Sequence, residues 1–333
     1  MIGELPPSVK RYSVARGKTV IESFELRPPG PADVVVEVAG SAIGAQPGAE
    51  ISGRVVAAGE AAAEWLERRV VVPRVLPCGE CANCRRGRIV ACPTRAMRFS
   101  PATHETVPAR YLLALDPPLD PPEELWRMAA LADAAAAPYG AIVRAQLAPG
   151  DLCIVIGGGV RGRFAIAIAR AKGAHVAVLD GDPDRRALAV AAGARFALDG
   201  AALDAAGARD QLFGEARAAG IETVELKVIE TTSTGAARRR AVALLGDGGV
   251  AALLADGDGV SPIADLDALA EREATVVGAG ACHPDLLPEL AALVVRGDLV
   301  LAPQVVAMPF EAFADALDSV RCGRIARLPI LTP

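Results

Sequence analysis

The chain has 333 residues, 52% hydrophobic and 23% charged, which excludes a disordered chain and gives length enough for about two domains. Its formal net charge of -5 argues against a general nucleic-acid binder, and no apolar run reaches the roughly 18 residues, free of charges and glycine breaks, that a membrane span needs. The N-terminal MIGELPPSVKRYSV has no apolar leader core, so neither a nucleic-acid nor a membrane partner is expected, and the protein is read as cytoplasmic.

From about Val9 to Leu115, β-rich runs such as TVIESFELRPPGPADVVVEVAG and GRVVAAGE alternate with Gly and Pro punctuation, which predicts a small β-domain. Near its end lies PCGECANCRRGRIVAC. The stretch PPEELWRMAALADAAAAPYGAIVRAQ predicts a helix running to the turn APGD. The period then changes: LCIVIGGG reads as a buried strand, RFAIAIARAKG as a helix, HVAVLD as a strand and PDRRALAVAAG as a helix ending on Gly193. VELKVIE, VAALLA and ATVVGAG continue as strands, with TGAARRRAVALLG as a helix between them, and the tail from Leu301 returns to extended segments and one helix. This is the alternation of a parallel, doubly wound α/β sheet.

Two motifs carry chemistry. Cys78, Cys81, Cys84 and Cys92 give the spacing Cx2Cx2Cx7C, and four thiolates make the closed, tetrahedral kind of zinc site that orders a loop and leaves no position for substrate. An iron–sulfur cluster and four free thiols are the alternatives. The total of seven cysteines, an odd number, suits metal binding in a reducing compartment better than a disulfide framework; Cys153 and Cys322 are expected to be inert. Arg85, Arg86, Arg88, Arg95 and Arg98 surround the cluster, either as a solvated basic face or for an anionic substrate tail.

The second motif is Gly157, Gly159 and Gly162, a GxGxxG between strand and helix, with Asp180 ending the next strand. Such glycines let the backbone approach a pyrophosphate at a helix N-terminus, and the acid accepts from the adenosine ribose hydroxyls. Because a carboxylate repels a 2′-phosphate, NAD(H) is expected over NADP(H). His104 and His175 have no sequence partner that assigns them a role, and the Cys282–His283 pair after the strand ATVVGAG reads as a nucleophile at a strand end or, more simply, as a structural or exposed pair.

A β-domain with this thiol lobe, followed by this glycine motif, closely resembles the medium-chain, zinc-containing alcohol dehydrogenase family over nearly the whole chain. WLERRVVVPRVLPCGECANCRRGR, MAALADAAAAPYGAIVRAQLAPGD, GIETVELKVIETTSTG and ACHPDLLPELAALVVRGDL look most like a branch of the family that acts on CoA thioesters. The resemblance implies a GroES-like β-domain over 1–125, completed by 301–333, and a Rossmann dinucleotide-binding domain over 126–300. It makes the four-Cys lobe a structural zinc site and implies a dimer or tetramer.

Family members also hold a catalytic zinc, through a Cys in a GxCxTD-like turn, a His in GHE, and a third ligand before the dinucleotide domain. Here the turn reads AIGAQP, with Gly44 in the Cys position, and GHE becomes GAE, with Ala49 replacing His and Glu50 remaining. The intervening loop is much shorter than in the family, and Asp133 stands at the third position. Two carboxylates without imidazole or thiolate make a poor zinc site, so a zinc-free site is expected, with Glu50 and Asp133 as candidate acid and base. The glycine loop also departs from the family, which has a valine behind the nicotinamide ring where this chain has Arg161. Two readings stay open: an NAD(H)-linked oxidoreductase acting without catalytic zinc on a small, activated substrate such as an enoyl thioester, and a degenerate dehydrogenase paired with an active homologue.

Overall fold

The computed structural model describes residues 1–44, 50–97, 101–121, 123–222, 225–254 and 266–333, and contacts divide the chain into two units, Met1–Ala136 with His283–Pro333 and Ala137–Cys282. In the first unit most of the alternating runs enter one eight-stranded sheet, while Val9–Ala15 and Lys18–Phe24 pair as a separate two-stranded sheet. The larger sheet includes β1 (Asp33–Ala42), β2 (Glu50–Ala58), β3 (Arg69–Val72), β4 (His104–Pro108) and β5 (Leu113–Ala114). β1 pairs antiparallel with β2 and β4, and β3 joins β2 to β5. Valines at 34, 36, 38, 55, 70, 72 and 107 point into a common core with Tyr12 and Phe310, whose rings stack 4.8 Å apart. Branched side chains suit this pleated, half-buried surface, and each full burial contributes about 1.5–3 kcal/mol.

The second unit is a six-stranded parallel sheet. In chain order its strands are β6 (Leu152–Ile156), β7 (His175–Asp180), β8 (Phe196–Asp199), β9 (Leu226–Glu230), β10 (Val250–Leu254) and β11 (Thr275–Ala279), and they lie side by side as β8-β7-β6-β9-β10-β11. All five residues of β6 are buried, as a strand covered by helices on both faces requires. The order reverses between β6 and β9, so the switch point, where ligands meet parallel sheets, lies at their C-terminal ends. The tail adds β12 (Val305–Pro309) and β13 (Leu328–Thr332) to the first unit's sheet, where β13 runs antiparallel to β1. The fold is thus the expected GroES-like β unit with a Rossmann-type sheet.

One predicted element breaks. The alanine-rich stretch forms a 3-10 segment, Leu125–Leu131, and a separate helix, Ala136–Arg144. Between them the Ala134 N–H donates to the Glu50 carboxylate at 3.0 Å and so leaves the helical ladder. Tertiary structure overrides the helix propensity of alanine at this point. Among the described residues no helix is long and apolar enough to cross a membrane.

Candidate functional site

The four-thiol lobe is built by turns. Gly79 adopts φ +77°, a backbone that L side chains rarely take, and Cys81 caps the short helix Ala82–Arg85 by accepting the Cys84 N–H at 3.4 Å. The ligand atoms of Cys78, Cys81, Cys84 and Cys92 all lie within 4.8 Å of one another, with sulfurs 3.4 Å apart for Cys81–Cys84 and 3.8 Å for Cys78–Cys84. A tetrahedral zinc with Zn–S near 2.3 Å needs sulfurs roughly 3.8 Å apart, so these donors fit it. Backbone N–H groups of Cys81 and Glu80 pull the Cys78 thiol down to about 6, whereas burial pushes the Cys84 thiol up to about 12. Among the described residues this is the one gathering of three or more His, Cys, Asp or Glu donors close enough to hold a metal. Two of the surrounding cations serve the lobe itself: Arg85 donates to the Glu80 carbonyl and Arg95 to the Val90 carbonyl at 2.5 Å. Arg98 lies outside the described residues.

The second cluster lies where the resemblance puts the family's catalytic zinc. Glu50, the first residue of β2, is 1% exposed, and its Oε2 accepts the Ala134 N–H. A Cβ built on Gly44 would stand 2.7 Å from Glu50 Oε1. Asp133 Oδ2 accepts from Arg74 Nη1 at 3.0 Å, in an ion pair whose side chains are both only 8% exposed. Ala49 lies outside the described residues. The sequence reading missed Arg74. Its signal was a lone cation in the apolar run VVVPRVLP, but its partner is 59 positions away.

The glycine motif occupies the switch point. Gly157 adopts φ +100°, and a Cβ there would come within 2.6 Å of Thr232 Cγ2; one on Gly162 would sit 1.8 Å from the Gly157 carbonyl oxygen. Both positions therefore demand glycine. A Cβ on Gly159, which precedes the helix Val160–Ala171, would meet nothing within 4 Å, which leaves room on that side for a pyrophosphate. Arg161 is half-buried in the first turn of that helix. Arg163, which the sequence reading passed over, lies 3% exposed beneath the loop and donates to the Gly158 carbonyl at 3.0 Å. Burial, then the charge of Arg185, hold its guanidinium below the ordinary value.

Asp180, at the end of β7, accepts the Gly158 N–H on Oδ2 at 2.7 Å and the Asp182 N–H on Oδ1 at 2.8 Å. It borders a cavity of about 480 Å³ lined also by Gly157, Arg185, Thr232, Thr234 and Arg240. The cavity is of a size that takes a nucleotide-like ligand. The remaining histidines find structural settings. His283 accepts the Asp285 N–H as the cap of a short turn, and His104 bonds Thr103 Oγ1 on the β4 edge of the sheet, where burial lowers its pKa.

A GroES-like β unit with a thiol lobe, joined in one chain to a parallel sheet bearing this glycine loop, defines a dehydrogenase architecture. Residues 30–117 match the model of the alcohol dehydrogenase GroES-like domain, and residues 162–296 match that of zinc-binding dehydrogenases. L-galactonate-5-dehydrogenase of Escherichia coli is 28% identical over 283 residues, spanning 81% of this chain and 78% of that one. Galactitol-1-phosphate dehydrogenase of Escherichia coli has the same fold, with a TM-score of 0.81 at 22% identity over 98% of this chain and all of that one. So does acetophenone reductase of Geotrichum candidum in complex with NAD, with a TM-score of 0.81 at 23% identity over 99% of both chains. The chain belongs to the medium-chain, zinc-type alcohol dehydrogenase family of NAD(P)-linked oxidoreductases.

Proposed function

We propose that the chain is a nicotinamide-dinucleotide-linked oxidoreductase that works without a catalytic zinc, on a carbonyl or enoyl group already activated by conjugation. The observation that carries this reading is the buried Arg74–Asp133 pair, next in the chain to Ala134, whose N–H the Glu50 carboxylate holds. In the cluster the family's thiolate position has no side chain, and the carboxylate at the third ligand position is committed to a guanidinium. The described donor set, two carboxylates with a cation against one of them, does not suit zinc.

When bound, the dinucleotide supplies or accepts the hydride; the protein's part is binding, orientation and proton handling. Gly157, Gly159 and Gly162 admit the pyrophosphate, and Asp180 meets the adenosine ribose. Glu50 and Asp133 are the candidate acid and base; with Asp133 tied to Arg74, Glu50 is the better proton carrier of the two. An α,β-unsaturated thioester needs no Lewis acid to accept hydride at its β-carbon, because the conjugated carbonyl takes up the electron pair and the α-carbon then takes a proton. Four segments that look like 6-hydroxycyclohex-1-ene-1-carbonyl-CoA dehydrogenase support a CoA-linked substrate. The family resemblance supports a dimer or tetramer, and the four-thiol lobe supports one structural zinc per chain.

A second reading rests on Arg161. A cation where the family backs the nicotinamide with valine opposes an oxidised, positively charged ring, which favours a retired dehydrogenase that serves as binding partner of an active homologue. NADH oxidation across enoyl-CoA, aldehyde and ketone substrates, together with NAD reduction by alcohols, separates the two. Turnover confined to enoyl thioesters is expected of the zinc-free enzyme. Robust alcohol oxidation contradicts it, and silence in the wild type with gain in Arg161→Val supports the second reading.

A further inference from the structure

Where the family keeps a metal cation, this chain keeps a guanidinium. Arg74 follows β3 in the run VVVPRVLP, and its backbone N–H donates to the Ala132 carbonyl at 3.4 Å, which ties the chain around it to the segment that carries Asp133. The side chain then meets that carboxylate, Nη1 to Oδ2 at 3.0 Å. Each partner keeps 8% of its side chain exposed, so the pair is shielded from water without being sealed. Asp133 is followed by Ala134, whose N–H donates to Glu50 Oε2 at 3.0 Å, so the carboxylate that holds the cation and the N–H that holds Glu50 stand on consecutive residues. A guanidinium carries five N–H donors in a planar fork, and one carboxylate oxygen on one nitrogen does not exhaust such a fork.

We propose that Arg74 is a catalytic residue, the electrophile of the zinc-free site: its guanidinium hydrogen-bonds the carbonyl oxygen of the bound thioester and stabilises the negative charge that hydride addition places there. The proposal rests on the zinc-free reading above and names the group that stands in for the metal. A conjugated thioester needs no Lewis acid, but a donor at its oxygen lowers the barrier to its reduction. The β-carbon receives a hydride, with its electron pair, from the reduced nicotinamide dinucleotide. The electrons of the C=C bond pass to the α-carbon and the carbonyl oxygen, giving an enolate whose oxygen Arg74 holds. The α-carbon then takes a proton from Glu50, and the carbonyl re-forms. One guanidinium stands against two carboxylates, so net charge is not what stabilises the enolate: with the transferable proton on Glu50 the three groups sum to zero, and Asp133 serves to fix the fork. A charge-assisted donor already in place, with little water around it, needs no reorganisation when the oxyanion forms.

The test titrates the whole protein with trans-cinnamoyl-CoA in the absence of dinucleotide, because the near-ultraviolet band of a conjugated thioester moves to the red when a donor polarises its carbonyl. Wild type should bind the probe with a red shift. Arg74→Met combined with Asp133→Leu should bind within about threefold of wild type and show no shift. Asp133→Asn, which keeps the guanidinium and an acceptor for it, should keep the shift, which separates Arg74 from its partner. In turnover of the same thioester with NADH, the double variant should lose roughly 100-fold or more in kcat with little change in KM, as loss of an interaction made in the transition state requires. Arg74→Gln, which keeps a donor for Asp133 without the charge, should lose most of both signals, and it decides the matter if the double variant does not fold. A wild-type complex without a shift, or a shift and kcat in the Arg74 variants equal to those of wild type, overturns the role of Arg74 and leaves the zinc-free reading intact. Neither binding nor turnover of the thioester by wild type removes the enoyl-thioester reading, and the role with it.

Discussion

Arg74 decides what the cluster around Glu50 can be. A buried guanidinium is stabilised by Asp133, which meets it at 3.0 Å, and removing either partner takes that support from the other's buried charge. Asp133→Ala should therefore lower stability by about 3–5 kcal/mol, and Arg74→Met combined with Asp133→Leu should recover most of the loss. Chemical denaturation of the two variants measures both; a double variant as unstable as Asp133→Ala, or more so, would mean that the pair is not coupled. Gly44→Cys meets a steric obstacle, since its Cβ would stand 2.7 Å from Glu50 Oε1. Glu50 and Asp133 could be named as candidates because the family resemblance puts each at a ligand position. Arg74 could not, because a bond between residues 59 positions apart leaves no local pattern.

Among the elements, the thiol lobe was the most legible and is the most exposed to test. Its four ligands come from turns and one short helix, and among the described residues between Cys78 and Cys92 Ile89 is the one buried aliphatic side chain, so metal binding rather than apolar burial is expected to order it. Cys81→Ser removes a metal ligand while leaving a hydroxyl that can still cap Ala82–Arg85; the variant should lose zinc and melt earlier, and a strong chelator should do the same to wild type. A melting curve indifferent to both would leave the lobe without a structural metal. The strands of the parallel sheet were likewise legible from their apolar runs. The four-residue β8 and the helix Ala205–Ala218 were passed over, since the strand is too short to show a period and the helix is alanine-rich with charges on most sides. The helix expected across the alanine-rich stretch failed for the opposite reason. Its local signal was strong, and a single long-range acceptor, Glu50, took the Ala134 N–H out of it.

For the whole molecule, the change from alternating β runs to a strand–helix alternation near residue 150 made the two-part architecture readable from sequence, and the structure carries both parts. The candidate sites divide along the same line: the first unit holds the thiol lobe and the buried carboxylates, and the second holds the glycine loop and its cavity. Asp180→Ala should weaken NADH binding in the second unit and leave zinc content untouched, since it removes a ribose acceptor and no metal donor; unchanged NADH affinity would mean that β7 does not meet the ribose. The zinc-free site stands or falls with the metal stoichiometry of the purified wild-type protein, measured by elemental analysis after dialysis against buffer supplemented with zinc and then against metal-free buffer. One zinc per chain, lost in Cys81→Ser, is expected if the four thiols alone bind metal. Two zincs per chain, with one retained in Cys81→Ser, would contradict it.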